Sequence, residues 1–219
     1  MSPRGCATVP RKGVQVKVVF LDFYGGPMDG SKERRKTRDG ALRLDPGCAA
    51  LINELHRRTG AVVVITSDSV ADWRDEESPD APHWWEESYP AAKQDLIEAG
   101  MIPEIIIGCI YQPPKSVPLY DRGKQIRVWL DEHRDVEGFV ILDDKPLPVS
   151  AKNIALLKKH GFDPGCEPDY ELGVRFVQVD DDTGLTHEDI DKATEILRKP
   201  RGKVYRRLSR FSKGARKKK

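Results

Sequence analysis

Two aspartates close apolar runs in this chain, one in Val16-Lys17-Val18-Val19-Phe20-Leu21-Asp22 and one in Gly138-Phe139-Val140-Ile141-Leu142-Asp143-Asp144. A β-branched run that ends abruptly in a carboxylate is the pattern of a buried parallel strand delivering its last residue to the sheet edge. In open parallel sheets, ligands bind beyond the carboxyl ends of the strands. Two such strands can hold three carboxylates over one crevice. Carboxylates gathered in this way repel one another unless a cation or shared protons compensate. The simplest chemistry for the set is a Mg²⁺ site, with one aspartate placed to attack an electrophile.

The elements that must position these groups alternate between strand and helix from residue 16 to residue 198. Val16–Leu21 reads as the first strand. Residues 25–44 are polar, charged and contain glycine, and read as a loop or short flap. Asp45-Pro46 supplies an N-cap followed by proline at the first helical position. Leu51, Ile52 and Leu55 share one face of that helix, and Gly60 ends it. Ala61–Ile65 reads as the second strand. Residues 67–90 read as irregular, followed by a helix over about 91–99 with Leu96 buried and Gly100 as its stop. Glu104–Ile107 reads as a third strand. The three prolines in 111–120 exclude a helix there. Asp121 caps a predicted helix through His133, with Ile126, Trp129 and Leu130 inward. Phe139–Leu142 is the fourth strand. Ser150 caps a helix carrying Ile154 and Leu157 that Gly161 closes. Val174–Val179 is the fifth strand. Thr186 and Asp189 resemble a capping box, with Ile190, Ala193 and Leu197 following at helical spacing. This alternation predicts an α/β sandwich with a mainly parallel sheet.

At 219 residues the chain is long enough for one domain with a substantial core. Hydrophobic residues make up 38% and charged residues 33% of it. No apolar stretch approaches the roughly 20 residues that a bilayer span needs, so a membrane partner is not expected. Met1 to Lys12 lacks an apolar h-region, which argues against a secretory signal. Cys6, Cys48, Cys109 and Cys166 are widely spaced, with no CxxC pair, and read as reduced thiols of a cytoplasmic protein. The net charge of +2 conceals an asymmetry, because residues 198–219 hold 12 Lys or Arg and no Asp or Glu. The rest of the chain therefore carries 25 basic and 35 acidic side chains, a net −10. An acidic body bears a basic tail.

Four segments fall in a suggestive order: strand–Asp22-Phe23-Tyr24-Gly25-Gly26, strand–Thr66-Ser67, the basic helix start Arg122-Gly123-Lys124, and strand–Asp143-Asp144. Their order and spacing resemble the four motifs of the haloacid dehalogenase-like (HAD) superfamily, which is mostly phosphatases. The resemblance covers roughly residues 16–197. The stretches "VVFLDFYGG", "RGKQIRVWLDEH", "VILDD" and "DDTGLTHED" look most like the HAD domains of Swiss-army-knife RNA repair proteins. The resemblance implies a three-layer α/β/α sandwich with a Rossmannoid sheet and little or no cap. It implies an Asp22 nucleophile that forms an aspartyl-phosphate, as a positioned carboxylate can once phosphate charge is neutralised. Mg²⁺ would sit among Asp22, the backbone carbonyl of Tyr24, Asp143 or Asp144, and the phosphate. Thr66, with Ser67 beside it, would bond phosphate oxygens. Lys124 or Arg122 would balance the charge.

One position departs from that pattern. Phosphatases of the superfamily usually carry a second Asp two residues after the nucleophile, as general acid and base. Here the position is Tyr24, and a phenol with pKa near 10 is a poor base at neutral pH. Three readings follow. The first is a phosphatase using another acid, such as Asp29 or Asp39 of the flap, or acting on substrates with good leaving groups. The second is a pseudo-enzyme that binds a phosphorylated ligand or a partner. The third is a 2-haloacid dehalogenase, whose nucleophile motif "DFYGG" also resembles, although such enzymes need no metal and carry a large helical cap. Only about 43 residues separate Asp22 from Thr66. The expected organisation is an N-terminal extension over 1–15, a HAD-like domain over 16–197 and a basic tail over 198–219. Tyr205, Leu208 and Phe211 interleave the tail's basic residues, a composition suited to RNA or DNA phosphates or to an acidic partner. Trp73, Trp84 and Trp85 suit either base stacking or pinning an irregular segment to the core. The five histidines show no metal-ligand spacing.

Overall fold

The computed structural model describes residues 16–22, 26–28, 44–66, 84–110, 122–147, 154–155, 158–159 and 169–201, leaving aside the side chains of 84–88. Among them, five strands form one sheet: β1 (Val16–Leu21), β2 (Val62–Ile65), β3 (Ile106–Cys109), β4 (Val136–Asp143) and β5 (Phe176–Gln178). Every neighbouring pair is parallel, and the order is β3-β2-β1-β4-β5. The helices are α1 (Pro46–Thr59), α2 (Trp84–Glu98), α3 (Arg122–Glu132), the single turn α4 (Tyr170–Gly173) and α5 (His187–Leu197). The chain builds outward from β1 to β3 on one side, then crosses back to lay β4 and β5 on the other. The loops after β1 and β4 therefore diverge. That divergence is the topological switch point, where open α/β sheets form their ligand crevice.

The strands are apolar because both faces of the sheet are covered. Val19, Leu21, Ile65 and Leu142 share a core with Ile52 and Leu55 of α1, Leu96 of α2 and Ile190 of α5. The alternate residues Val18, Phe20, Val64 and Phe139 pack with Ile126, Trp129 and Leu130 of α3. Phe20 meets Trp129 and Phe139 edge-on, with ring centroids 5.3 and 5.8 Å away. The result is the expected α/β/α layering on a parallel sheet.

Local chemistry fixes the ends of the best-defined helices. Asp45 caps α1 by accepting from the Gly47 amide at 2.7 Å, and Pro46 occupies the first turn. Gly60 ends α1 at φ 71, a left-handed conformation that only glycine adopts without steric cost. Thr186 and Asp189 close a capping box at the start of α5.

Elsewhere the boundaries move. Helix α2 begins at Trp84 rather than near residue 91 and contains Pro90. Proline there removes one donor and crowds the preceding turn. Packing of Tyr89, Ala92 and Leu96 on the core outweighs that penalty. Strand β3 starts two residues later than expected, because Pro103–Ile105 forms a 3-10 turn first. Strand β4 is longer at both ends than Phe139–Leu142. Strand β5 is shorter than Val174–Val179, because Val174 and Arg175 complete the turn after α4. Of the helix expected after Ser150, residues 154–155 and 158–159 are described and are helical, while Ser150, Leu157 and Gly161 lie outside the described residues. The flap, apart from residues 26–28 and 44, lies outside them too, as do Trp73 and the tail from residue 202.

The N-terminal edge of the sheet carries an ionic network. Arg127 donates to Asp169 Oδ1 at 2.7 Å and to Glu171 Oε2 at 2.7 Å. Arg201 Nε donates to Glu171 Oε1 at 3.2 Å, and its Nη1 donates to the Leu130 carbonyl at 3.2 Å. Arg175, only 1% exposed, lies over the Phe139 ring at 4.9 Å. It donates to the carbonyls of Phe139 at 3.1 Å and Lys199 at 2.9 Å. The Arg201 amide bonds the Glu137 carbonyl. Residues 199–201 are thereby tied to the start of β4.

Candidate active site

Strand register brings the two aspartates together. Leu21 pairs with Leu142, and the Asp22 amide donates to the Leu142 carbonyl at 3.1 Å, so the next residue on each strand is a carboxylate. Asp22 and Asp143 are both 0% exposed. Asp144 follows on the turn out of β4, with its carbonyl accepting from Gln178 Nε2 at 3.1 Å. One oxygen from each of Asp22, Asp143 and Asp144 lies within 4.8 Å of the others. Thr66 leaves β2 beside them, and its amide donates to the Leu21 carbonyl at 2.9 Å.

Arg122 opens α3 and reaches into this cluster. Its Nη1 donates to Asp22 Oδ2 at 2.8 Å and also to Asp143 Oδ2. Arg122 is buried, as the first-turn position of a helix packed on the sheet dictates. One guanidinium thus bridges the ends of two strands that are 121 residues apart in sequence.

The electrostatics show how little this cation settles. Burial pushes the Asp143 carboxyl up to about 7; Arg122 opposes the shift and the Asp22 charge adds to it. Burial likewise raises Asp144 to about 6, with Asp22 and Asp181 adding and Lys145 opposing. Three carboxylates thus crowd around Arg122, with Lys145 and Asp181 close enough to act on Asp144. Among the described residues, the buried polar atoms of the site that make no hydrogen bond include Thr66 Oγ1 and Asp144 Oδ1. Such atoms normally cost about 1–3 kcal/mol when left unmade, so a native site that keeps them invites a ligand.

The donor set fits Mg²⁺. All three side chains offer hard oxygen, and one oxygen of each lies close enough to the others to share an ion. Thr66 Oγ1 is a hydroxyl donor at the end of the strand beside β1.

The structure thus brings together five of the residues singled out from sequence: Asp22, Thr66, Arg122, Asp143 and Asp144. Arg122 donates to both Asp22 and Asp143, and Lys124, half-buried, lies two positions further along α3. Tyr24 and Ser67 lie outside the described residues. Sequence reading passed over Gly26, whose buried backbone abuts Asp144. The signal available was the doubled Gly25-Gly26 immediately after the strand. It also passed over Asp181, whose charge reaches Asp144 from the turn after β5.

Residues 18–190 match the family described as the HAD domain in Swiss Army Knife RNA repair proteins. Neither the comparison with curated proteins nor that with solved structures gives a match.

Proposed function

Because the chain belongs to the HAD superfamily, in the family of HAD domains of Swiss Army Knife RNA repair proteins, we propose that it is a Mg²⁺-dependent phosphatase. Its substrates would be phosphomonoesters of polynucleotide ends or nucleotides, hydrolysed through an aspartyl-phosphate at Asp22. The observation that carries this reading is the convergence of Asp22, Asp143 and Asp144 within 4.8 Å at the switch point of the sheet.

Asp22, Asp143 and Asp144 would hold the ion, with the backbone carbonyl of Tyr24 as a further donor. Bound there, Mg²⁺ would offset phosphate charge and orient the group for in-line attack. A carboxylate oxygen of Asp22 forms the new bond to phosphorus as the bond to the leaving oxygen breaks. The leaving oxygen keeps the electron pair and takes up a proton. Water then attacks phosphorus, the bond to Asp22 breaks, and inorganic phosphate departs with the carboxylate restored. Arg122 on Oδ2 fixes the rotation of the Asp22 carboxylate through both steps. Thr66 Oγ1 donates to a phosphate oxygen, Ser67 offers a second hydroxyl, and Lys124 adds positive charge at the rim. Tyr24 leaves the proton of the first step to another group. Asp29 or Asp39 would deliver it, or the substrate would have a leaving group stable enough to depart without it.

Three features support a large anionic substrate. The 43 residues between Asp22 and Thr66 leave no room for a large helical cap. The chain leaves the site edge at Met28 and returns at Leu44, where the Met28 carbonyl accepts from the Asp45 amide at 2.7 Å. Between them lie Lys32, Arg34, Arg35, Lys36, Arg38 and Arg43. The tail beyond Arg201 starts instead from the opposite edge of the sheet. From Glu137 to Asp143 is six residues of strand, or about 20 Å. A polynucleotide is long enough to meet both the flap and the start of the tail. A cytoplasmic setting agrees with the chain's composition, and no helix among the described residues is long and apolar enough to cross a membrane.

The test is phosphate release from 3′- and 5′-phosphorylated oligonucleotides with Mg²⁺, beside Asp22→Asn. Loss of about 10⁴-fold or more is expected for the variant. Equal release by both proteins would reject Asp22 as nucleophile. Tyr24 favours a second reading, a binding protein of HAD fold with impaired turnover. It predicts salt-dependent oligonucleotide affinity without phosphate release. Halide release without added metal would instead identify a dehalogenase.

A further inference from the structure

We propose that Gly26 is a positioning residue for the metal site, acting by the absence of a side chain. This rests on the proposed Mg²⁺ chemistry and adds to it a residue outside the ligand set. Gly26 is buried, and a Cβ built on it would lie 2.5 Å from Asp144 Oδ1 and 3.1 Å from Asp144 Cγ. The requirement is space rather than backbone conformation, since Gly26 is not among the described glycines with positive φ.

The geometry also says which partner would yield. The backbone after Gly26 is held from two directions. The Pro27 carbonyl accepts from the Leu185 amide at 3.1 Å, and the Met28 carbonyl accepts from the Asp45 amide at 2.7 Å. Met28 itself is fully buried. The backbone of Asp144 is held by Gln178 and by its place directly after β4. What can move is the Asp144 carboxylate, the free end of a short side chain. It is the part that points into the cluster, and its Oδ1 has no hydrogen-bond partner among the described residues to hold it there. Gly26 therefore permits Asp144 to lie against the loop after β1 with its oxygen toward Asp22. A methyl group at 26 swings the carboxylate out and leaves Asp22 and Asp143 in place, because neither depends on Gly26 for its contacts with Arg122.

This gives an unusual signature for a buried glycine. Gly26→Ala should fold with a melting temperature within a few degrees of native, since the group displaced is the end of a side chain and not backbone. Its affinity for the metal alone, titrated as Mg²⁺ or Mn²⁺ by calorimetry without substrate, should fall about tenfold or more, the loss typical of disturbing what orients a ligand. In an Asp144→Ala background only Cβ remains, 3.6 Å from the added methyl. There Gly26→Ala should leave metal affinity unchanged, the non-additivity expected when one residue acts through another. Native-like affinity in Gly26→Ala overturns the inference. So does an undiminished further loss in the Asp144→Ala background. A native chain that binds no divalent ion overturns the proposed function and this inference together, which separates the two failures.

Discussion

The two edges of the sheet bury charge in opposite ways. At the N-terminal edge, Arg127, Arg175 and Arg201 meet Asp169, Glu171 and backbone carbonyls. Arg175 Nε lacks a partner there, but its guanidinium lies on the Phe139 ring. At the C-terminal edge, Asp22, Asp143 and Asp144 face one guanidinium. Both edges hold residues far apart in sequence in the same three layers, so the fold tolerates either arrangement. The difference lies in how the charges are matched. At the N-terminal edge opposite charges pair off and tie α3, α4 and residues 199–201 together. At the C-terminal edge three carboxylates crowd together, and Thr66 Oγ1 and Asp144 Oδ1 make no hydrogen bond among the described residues. Function is read from the edge where like charges are crowded.

Restoring the missing acid should break the contrast most strongly. Tyr24→Asp supplies general acid–base assistance, and phosphate release should rise by about 10²–10⁴-fold. A variant no faster than native would mean that another group already delivers the proton. The N-terminal edge should respond in stability instead. Glu171→Ala strips Arg127 and Arg201 of an acceptor and should cost about 3 kcal/mol. For a chain of this size that lowers the melting temperature by about 2–4 °C per kcal/mol. Metal affinity of the folded protein should not change, and a matching loss of affinity would show that the two edges are not separable.

The C-terminal edge should show the reverse sign. Asp143, near 7, and Asp144, near 6, lie above the unfolded carboxylate value of about 4. The native state then holds protons that the unfolded state has released. Stability of the metal-free protein from these groups is full below about pH 4 and is lost as pH rises through about 7. Asp143→Asn should therefore raise the metal-free melting temperature at pH 8 by a few degrees, with little gain at pH 5. Saturating Mg²⁺ should remove the difference by stabilising the native protein alone. Destabilisation by Asp143→Asn at pH 8 would place this carboxylate with the structural charges of the other edge.

A smaller effect concerns the tail. Its last described residues belong to the N-terminal network through Arg201, so the informative truncation removes 202–219 and spares Arg201. It should raise KM for a long oligonucleotide about tenfold at low salt and leave KM for a phosphorylated mononucleotide unchanged. Equal changes for both substrates would place the tail at the site itself.

Much of the frame was legible in sequence because its signals are local. The apolar runs into Asp22 and Asp143, the Asp45-Pro46 start, the Gly60 stop and the Thr186/Asp189 capping box each lie within a few residues. Pro90 misled because a local rule was overridden by core packing at Tyr89, Ala92 and Leu96. The contact of Arg122 with the two aspartates was not legible because it depends on the rotation of α3 about its axis. The Arg127–Asp169–Glu171–Arg201 network was invisible, since its members are joined only by tertiary structure. Gly26 was legible as the end of the motif after the first strand and not as a spacer, because the atom it makes room for lies 118 residues away.

The most direct test of a shared cation is a calorimetric titration of Mg²⁺ into the substrate-free native chain, beside Asp143→Asn. The account predicts one ion per native chain and at least tenfold weaker binding in the variant. No binding to the native chain, or equal binding to both, would contradict it.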